Sequence, residues 1–323
     1  MKRREFISLL GGAVAAWPLA VTAQEPGRAY RLGLLVRNPR DTSQWLAFFD
    51  ELRLSGFIEG QNLALVAGGF DVPIEQFASR AEAIVKAAPD VIISVGDVAT
   101  RVVLEATSTI PIVVMAEDMV AAGLVASLAR PGGNVTGISL LSPELDGKRQ
   151  DILIEAVPDA RRIAALADPT VTPPGHTETL QEAVRARGIE LSVFTAARPE
   201  AIGPALDAAK ASGVEAVNVL ATPLFANNRQ LVIERVAALR LPAIYQWPEI
   251  AEEGGFAAYG PRLLQLIRQR ARIVAKILRG AKPADIPVEQ PTHFELVINL
   301  KAAKTIGHEI PVGLVLRADR VIE

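Results

Sequence analysis

The chain has 323 residues, 50% of them hydrophobic, with 34 Lys plus Arg against 36 Asp plus Glu for a net charge of −2. At roughly 100–200 residues per domain, this length predicts two domains. The balanced charge, spread along the chain, excludes the basic footprint that phosphate-backbone binding needs, so no nucleic-acid partner is expected. The absence of cysteine excludes disulfides, thiolate metal sites and a cysteine nucleophile. His176, His293 and His308 are too scattered to predict a zinc site, and neither a metal nor a cofactor is expected.

Residues 1–23 read as an address. Lys2, Arg3 and Arg4 precede Glu5, Phe6 and Ile7, an apolar run extends from Leu9 to Leu19, and Val21-Thr22-Ala23 suits a signal peptidase cutting after Ala23. The run is shorter than the about 20 residues needed to cross a bilayer of about 30 Å, which predicts an export signal rather than an anchor. The RREFI string resembles a twin-arginine signal; a general-secretory signal carrying two arginines is the alternative. Either route predicts an exported, periplasmic protein, and with no lipobox cysteine after the apolar run the product is expected to be soluble. Removing Lys2, Arg3, Arg4 and Glu5 leaves 31 basic and 35 acidic residues.

From residue 30 a unit recurs: a short apolar run, a polar or glycine-containing loop, then an amphipathic helix. Such alternation predicts a parallel sheet. The first strand spans Arg31 to Val36, and the helix after Asp41-Thr42 places Trp45, Phe48, Phe49 and Leu52 on one buried stripe. A strand at Leu63 to Val66 is followed by a helix with Ile74, Phe77, Ala81, Ile84 and Val85 inward. Val91 to Val95, Ile112 to Met115 and Val135 to Leu140 are further strands, near-continuous apolar runs suited to burial on both faces. The pattern restarts after Asp159 with strands at Arg162 to Ala167, Glu190 to Phe194, Ala216 to Leu220 and Ala243 to Tyr245. Phe256 to Tyr259 then leads into a long helix from Arg262 to Leu278. The stretch holding Pro283, Pro287 and Pro291 is expected to be extended, and Glu295 to Leu300 is another strand. Two α/β halves linked by several crossings predict a bilobed molecule whose ligand sits between the lobes, at the carboxyl ends of the strands.

Catalytic motifs are missing. There is no Gly-x-Ser-x-Gly elbow, phosphate-binding Gly-Lys-Ser/Thr loop, Gly-x-Gly-x-x-Gly turn or His-Glu-x-x-His pair, so no catalytic residue is assigned. Glu117 and Asp118, adjacent acids at a strand end, suit capping of backbone N–H groups or ligand binding better than acid–base work. His293 and His308 read as ordinary surface or strand-end histidines, and Pro131 to Gly133 as a turn.

Several longer strings are more specific: RREFISLLGG at the start, GLVASLARPGGNVTGIS at Gly123 to Ser139, LPAIYQW at Leu241 to Trp247, GAKPADIPVEQPTHFELVINLKAAKTIG at Gly280 to Gly307, and LRADRVIE at the C-terminus. Together they resemble the ABC-transporter substrate-binding proteins of the tryptophan/tyrosine transport type, over the whole length. The resemblance implies an α/β type I periplasmic-binding-protein fold, two Rossmann-like lobes with parallel sheets and three hinge crossings near Ile138 to Leu141, Ala257 to Gly260 and Glu295 to Leu300. The expected lobes are 24–139 plus 260–294 and 140–259 plus 295–323, after the signal at 1–23.

Against that family pattern, Ser94-Val95-Gly96-Asp97-Val98 replaces a Gly-Thr-Pro-like loop, and Glu117-Asp118-Met119 replaces Gly-Asp-Pro. Both changes make the first lobe's wall more negative, which predicts a ligand bearing an ammonium, with Arg37 taking its carboxylate in a bidentate pair beside Asn38. The first wall is therefore expected to comprise Arg37, Asn38, Ser94, Gly96, Asp97, Glu117 and Asp118. The opposite wall comprises Asp168, Thr222, Phe225, Tyr245 and Trp247, with Tyr259 at a crossing; its aromatics suit a planar ligand or a cation. The function implied is binding without catalysis: a monomer closes on a small-molecule solute, an amino acid or an amine-bearing or aromatic metabolite, and delivers it to an ABC permease. A sensory module presenting its solute to a receptor or kinase is the alternative. An enzyme using Asp97, Glu117 or Asp168 as general base is a third reading, without a supporting motif.

Overall fold

A computed structural model of the chain describes residues 28–172 and 174–323; the export signal read at residues 1–23 falls outside the described residues. These form two sheets. The first is built by β1 (Tyr30–Leu35), α1 (Ser43–Leu54), β2 (Leu63–Leu65), α2 (Phe77–Lys86), β3 (Val91–Val95), α3 (Asp97–Ala106), β4 (Ile112–Ala116) and β5 (Val135–Ser139), in strand order β2-β1-β3-β4-β5 with every pairing parallel. Its central strands VIISV and IVVMA are almost wholly buried, because helices cover both faces.

The second sheet follows α4 (Ser142–Ala156). It collects β6 (Arg162–Ala167), α5 (Pro174–Arg185), β7 (Glu190–Thr195), α6 (Pro199–Ala211), β8 (Ala216–Val219), α7 (Pro223–Asn227), α8 (Arg229–Ala238), β9 (Ala243–Tyr245), α9 (Pro248–Glu252) and β10 (Ala257–Gly260). After α10 (Leu263–Leu278) come β11 (Glu295–Asn299), α11 (Leu300–Ile306), α12 (Val312–Val315) and β12 (Arg320–Ile322). The strand order is β12-β11-β10-β9-β8-β6-β7, parallel except where β10 meets β11.

The chain passes between the sheets three times among the described residues. The first passage runs from β5 into α4 through Leu141, which takes a left-handed φ of 56°. The second runs from β10 into α10, which packs against α1 and the first sheet. The return follows residues 286–295. There Thr136 Oγ1 donates to Ile286 O at 2.8 Å and Ser139 N donates to Glu289 O at 2.9 Å, so the segment rides on β5 before entering β11. The stretch expected to be extended thus contains one 3-10 turn, Pro283–Asp285, and then pairs like a short strand.

Two polar clusters brace these passages. Arg262 donates to Glu252 Oε1 at 2.7 Å and to Glu295 Oε2 at 2.6 Å, tying the second passage to the third. Buried Arg149 of α4 pairs with Asp146 and donates to Tyr259 O at 3.1 Å, tying the first to the second. Gly260 fits because any Cβ there would lie 2.0 Å from Gln246 O. Strand β11 ends one residue earlier than Glu295 to Leu300 suggests, since Asn299 Oδ1 accepts from Ala302 N at 2.8 Å and starts α11 at once; β12 was not foreseen.

The apolar core has a distinct patch under the outer face of each sheet and a larger cluster that runs continuously from one lobe into the other, including Leu34, Phe48, Ile138, Val219 and Ile273.

Candidate ligand-binding site

The interlobe cavity lies at the carboxyl ends of the strands, where open parallel sheets place their ligands. The first lobe contributes Asn38 after β1, Gln44 and Trp45 of α1, Val95 of β3, Met115 and Glu117 at the end of β4, and Leu140 after β5. The second contributes Pro223, Ala226 and Asn227 of α7 and the Gln246-Trp247 pair after β9. Helix α10 adds Leu263, Ile267 and Arg270. The lobes touch across this cavity: Asn38 Nδ2 donates to Asn227 Oδ1 at 2.8 Å, and Asn227 Nδ2 donates back to Asn38 Oδ1 at 3.0 Å. A reciprocal amide pair thus bridges the lobes.

Arg270 is 1% exposed, and its guanidinium lies 4.9 Å from the Trp45 ring centre and 5.4 Å from that of Phe48. Its Nε and Nη1 have no hydrogen-bond partner, and among the described residues no carboxylate is paired with it. Burial lowers its pKa to about 9, because a cation sealed from water without a counter-charge is disfavoured. The indole Nε1 atoms of Trp45 and Trp247 and Oε1 of Gln246 are likewise buried without partners. Buried polar groups are normally satisfied, so this concentration of unpartnered atoms makes the cavity the candidate site for a polar ligand.

Glu117 carries the opposite chemistry. Ser142 donates to its Oε2, yet burial outweighs that bond and pushes the carboxyl up to about 8, with the nearby Asp146 charge adding to the rise. Asp97 at the start of α3 is also raised, by burial first and by Asp118 to a lesser extent, while Arg101 pulls it down.

The structure brings Asn38, Glu117 and Trp247 of the anticipated wall together around the cavity. Gly96 stands at its edge: with a φ of 78° it turns β3 into α3, and a Cβ there would meet Pro223 Cγ of the other lobe at 3.9 Å. Arg37 is half-buried and outside the lining set. Ser94 is fully buried, its Oγ 2.8 Å from Thr100 Oγ1. Three further polar side chains are taken up locally. Asp118 Oδ1 accepts from Val120 N and Ala121 N, both at 3.0 Å. Asp168 Oδ1 accepts from Thr170 N at 3.0 Å and from its hydroxyl at 2.6 Å. Thr222 Oγ1 caps α7 by accepting from Phe225 N at 3.3 Å. Phe225 and Tyr245 sit in the apolar core, Tyr245 bordering a separate cavity inside the second lobe. Tyr259 stacks on Phe294 at 6.2 Å and serves the hinge through its carbonyl.

Residue-by-residue reading of the sequence missed Arg270, Gln246, Asn227 and Gln44, and took Trp45 for core alone. One signal was available: an arginine at position 270, in the helical register of Leu266, Ile267, Ile273 and Val274, interrupts an otherwise apolar stripe.

Two α/β lobes joined by three passages, with a cavity between them, define a type I periplasmic-binding-protein fold. The model of the family described as "ABC transporter substrate binding protein" matches residues 52–322, and the chain belongs to that family. A "Tyrosine-binding protein" of Clostridioides difficile (strain R20291) is 24% identical over 278 residues, 84% of this chain and 79% of that protein. Among solved structures, a conserved domain protein from Vibrio cholerae O1 biovar eltor is 27% identical and superposes with a TM-score of 0.80, covering 91% of this chain and 99% of that one. An ABC domain in complex with L-Trp from Streptococcus pneumonia shares the fold at 21% identity, TM-score 0.76, covering 90% of this chain and 100% of that one.

Proposed function

We propose that the protein is the exported solute-binding component of an ABC importer, a monomer that closes its lobes on one small molecule and hands it to an inner-membrane permease. The solute is an amino acid or an amine-bearing or aromatic metabolite, and binding proceeds without catalysis. The observation that carries this reading is the interlobe cavity, where Arg270, Trp45, Trp247 and Gln246 bury polar atoms without partners. Relatives named for tyrosine binding and solved with L-Trp support the solute class.

Closure follows from differential contact. A solute seated on Asn38, Glu117 and Trp45 gains Trp247, Gln246 and Asn227 only when the lobes meet, and that difference in affinity is what shifts an open population to a closed one. The test is thermal melting of residues 24–323, unfolded and refolded to strip any carried solute, against amino acids, aromatic acids, amines, sugars and nucleosides. A ligand at about 100 times its Kd adds about 2.7 kcal/mol. A shift by amino acids or aromatic metabolites, weakened by Trp247→Ala, is expected; a shift only by sugars or nucleosides would overturn the proposed solute class.

A further inference from the structure

We infer that the solute is anchored by a carboxylate on the Arg270 guanidinium, so that the cleft selects carboxylate-bearing molecules with an apolar or aromatic body and does not require their ammonium. The inference rests on the interlobe-cavity reading above and names what that cavity selects.

Arg270 projects from the middle of α10, is 1% exposed, and borders the cavity with Leu263 and Ile267 of the same helix. Trp45 and Phe48 cover the guanidinium through their rings, but ring contact satisfies the faces of the plane and not the N–H groups that radiate within it. Nε and Nη1 remain without an acceptor. A buried arginine of this kind is ordinarily paired, and the partner whose geometry matches its fork is a carboxylate, held by two parallel N–H···O bonds. A single negative charge balances this cation, whereas a phosphate dianion would leave excess negative charge beside the Glu117 carboxyl and the apolar Val95, Met115 and Leu140. The indole N–H groups of Trp45 and Trp247, also unpartnered, add two donors to the site, beside Gln246 Oε1 as an unpartnered acceptor.

Glu117 bears on the ammonium. Its carboxyl is already engaged by Ser142, and burial holds it protonated through neutral pH. An incoming ammonium has to ionise that group, while an incoming carboxylate meets an arginine that is charged at neutral pH. The anion is therefore the primary anchor.

The experiment titrates the purified, ligand-stripped protein with matched triplets on four bodies: indole, phenyl, 4-hydroxyphenyl and branched aliphatic. Each triplet comprises the amino acid, the acid lacking the amine, and the amine lacking the carboxylate, as in L-tryptophan, indole-3-propionate and tryptamine. On at least one body the acid is expected to bind within about tenfold of the amino acid, a loss on the scale of a hydrogen bond. The amine is expected to bind about 100-fold more weakly, the scale of removing one partner of a buried charge pair. Arg270→Met, of similar reach, lowers affinity for acid and amino acid by about 100-fold and leaves the amine unchanged; Arg270→Lys, which keeps the charge and loses the fork, falls between. A cooperative melt checks the fold of both variants. Amines binding as tightly as acids, Arg270→Met binding acids normally, or no member of any triplet binding would each overturn the inference. In the first two cases, a loss of binding in Trp247→Ala shows that the cleft reading survives, whereas unaltered binding in both Trp247→Ala and Arg270→Met removes that reading as well.

Discussion

Glu117 and Asp118 are neighbours in the chain and have unlike fates. The Asp118 carboxylate accepts two backbone N–H bonds from the turn that follows β4, whereas Glu117 turns into the cleft and is neutralised by burial. For Asp118→Ala we predict a loss of about 1 kcal/mol of stability, as for a lost cap, with solute affinity changed less than about twofold; calorimetric melting and titration check the two halves separately. Glu117 imposes a pH dependence of definite sign. Its pKa rises from 4.5 to about 8 on folding, so the folded state holds the proton more tightly than the unfolded state. Its contribution to the stability of the ligand-free protein is fully present below pH 4.5 and is lost as pH rises through about 8. The slope is at most about 1.4 kcal/mol per pH unit. Melting curves between these limits should fall for the native protein more steeply than for Glu117→Gln; parallel curves would contradict the assignment.

At the scale of elements, the site is assembled by strand ends and by one long helix. The strand ends were legible: β1, β3 and β4 are apolar runs followed by Arg37-Asn38, Gly96-Asp97 and Glu117-Asp118, and a parallel sheet necessarily gathers such loops at one edge. Which of their side chains turn inward was not legible, because local hydrogen bonds compete for short polar groups, as at Asp168 and Thr222. Helix α10 was read only as a long helix from Arg262 to Leu278; its buried face packs on α1 and reaches the cavity as well. The amide pair between the β1 loop and α7 yields a prediction of its own. Each hydrogen bond contributes about 0.5–1.5 kcal/mol net and either variant removes both, so Asn38→Ala or Asn227→Ala should weaken solute binding by roughly 5–150-fold. The double variant should be little worse than either single one, since both remove the same contact; additive losses would show that the amides act separately.

For the whole molecule, three passages braced by Arg262 with Glu252 and Glu295, and by Arg149 with Asp146, hold the two sheets together at one end of the cleft. The export signal proposed for residues 1–23 is tested independently of the fold. Replacing Arg3 and Arg4 together by Lys keeps the charge and removes the pair that a twin-arginine route reads, so uncleaved precursor is expected to accumulate in the cytoplasm, as fractionation and immunoblotting would show. Continued export would assign the general-secretory route instead.

The sequence by itself determined the alternation of strand and helix, the two lobes and the sheet edge at which the interlobe cavity lies, because hydrophobic periodicity and parallel topology are local consequences of side-chain order. Only the tertiary structure decided that Arg270, more than two hundred residues from Trp45 in the chain, lies over its ring without a counter-charge, and that Asn38 and Asn227 meet across the cleft. Such pairings depend on how α10 crosses back to the first sheet and how far the lobes close, and both are set by packing between segments remote in sequence.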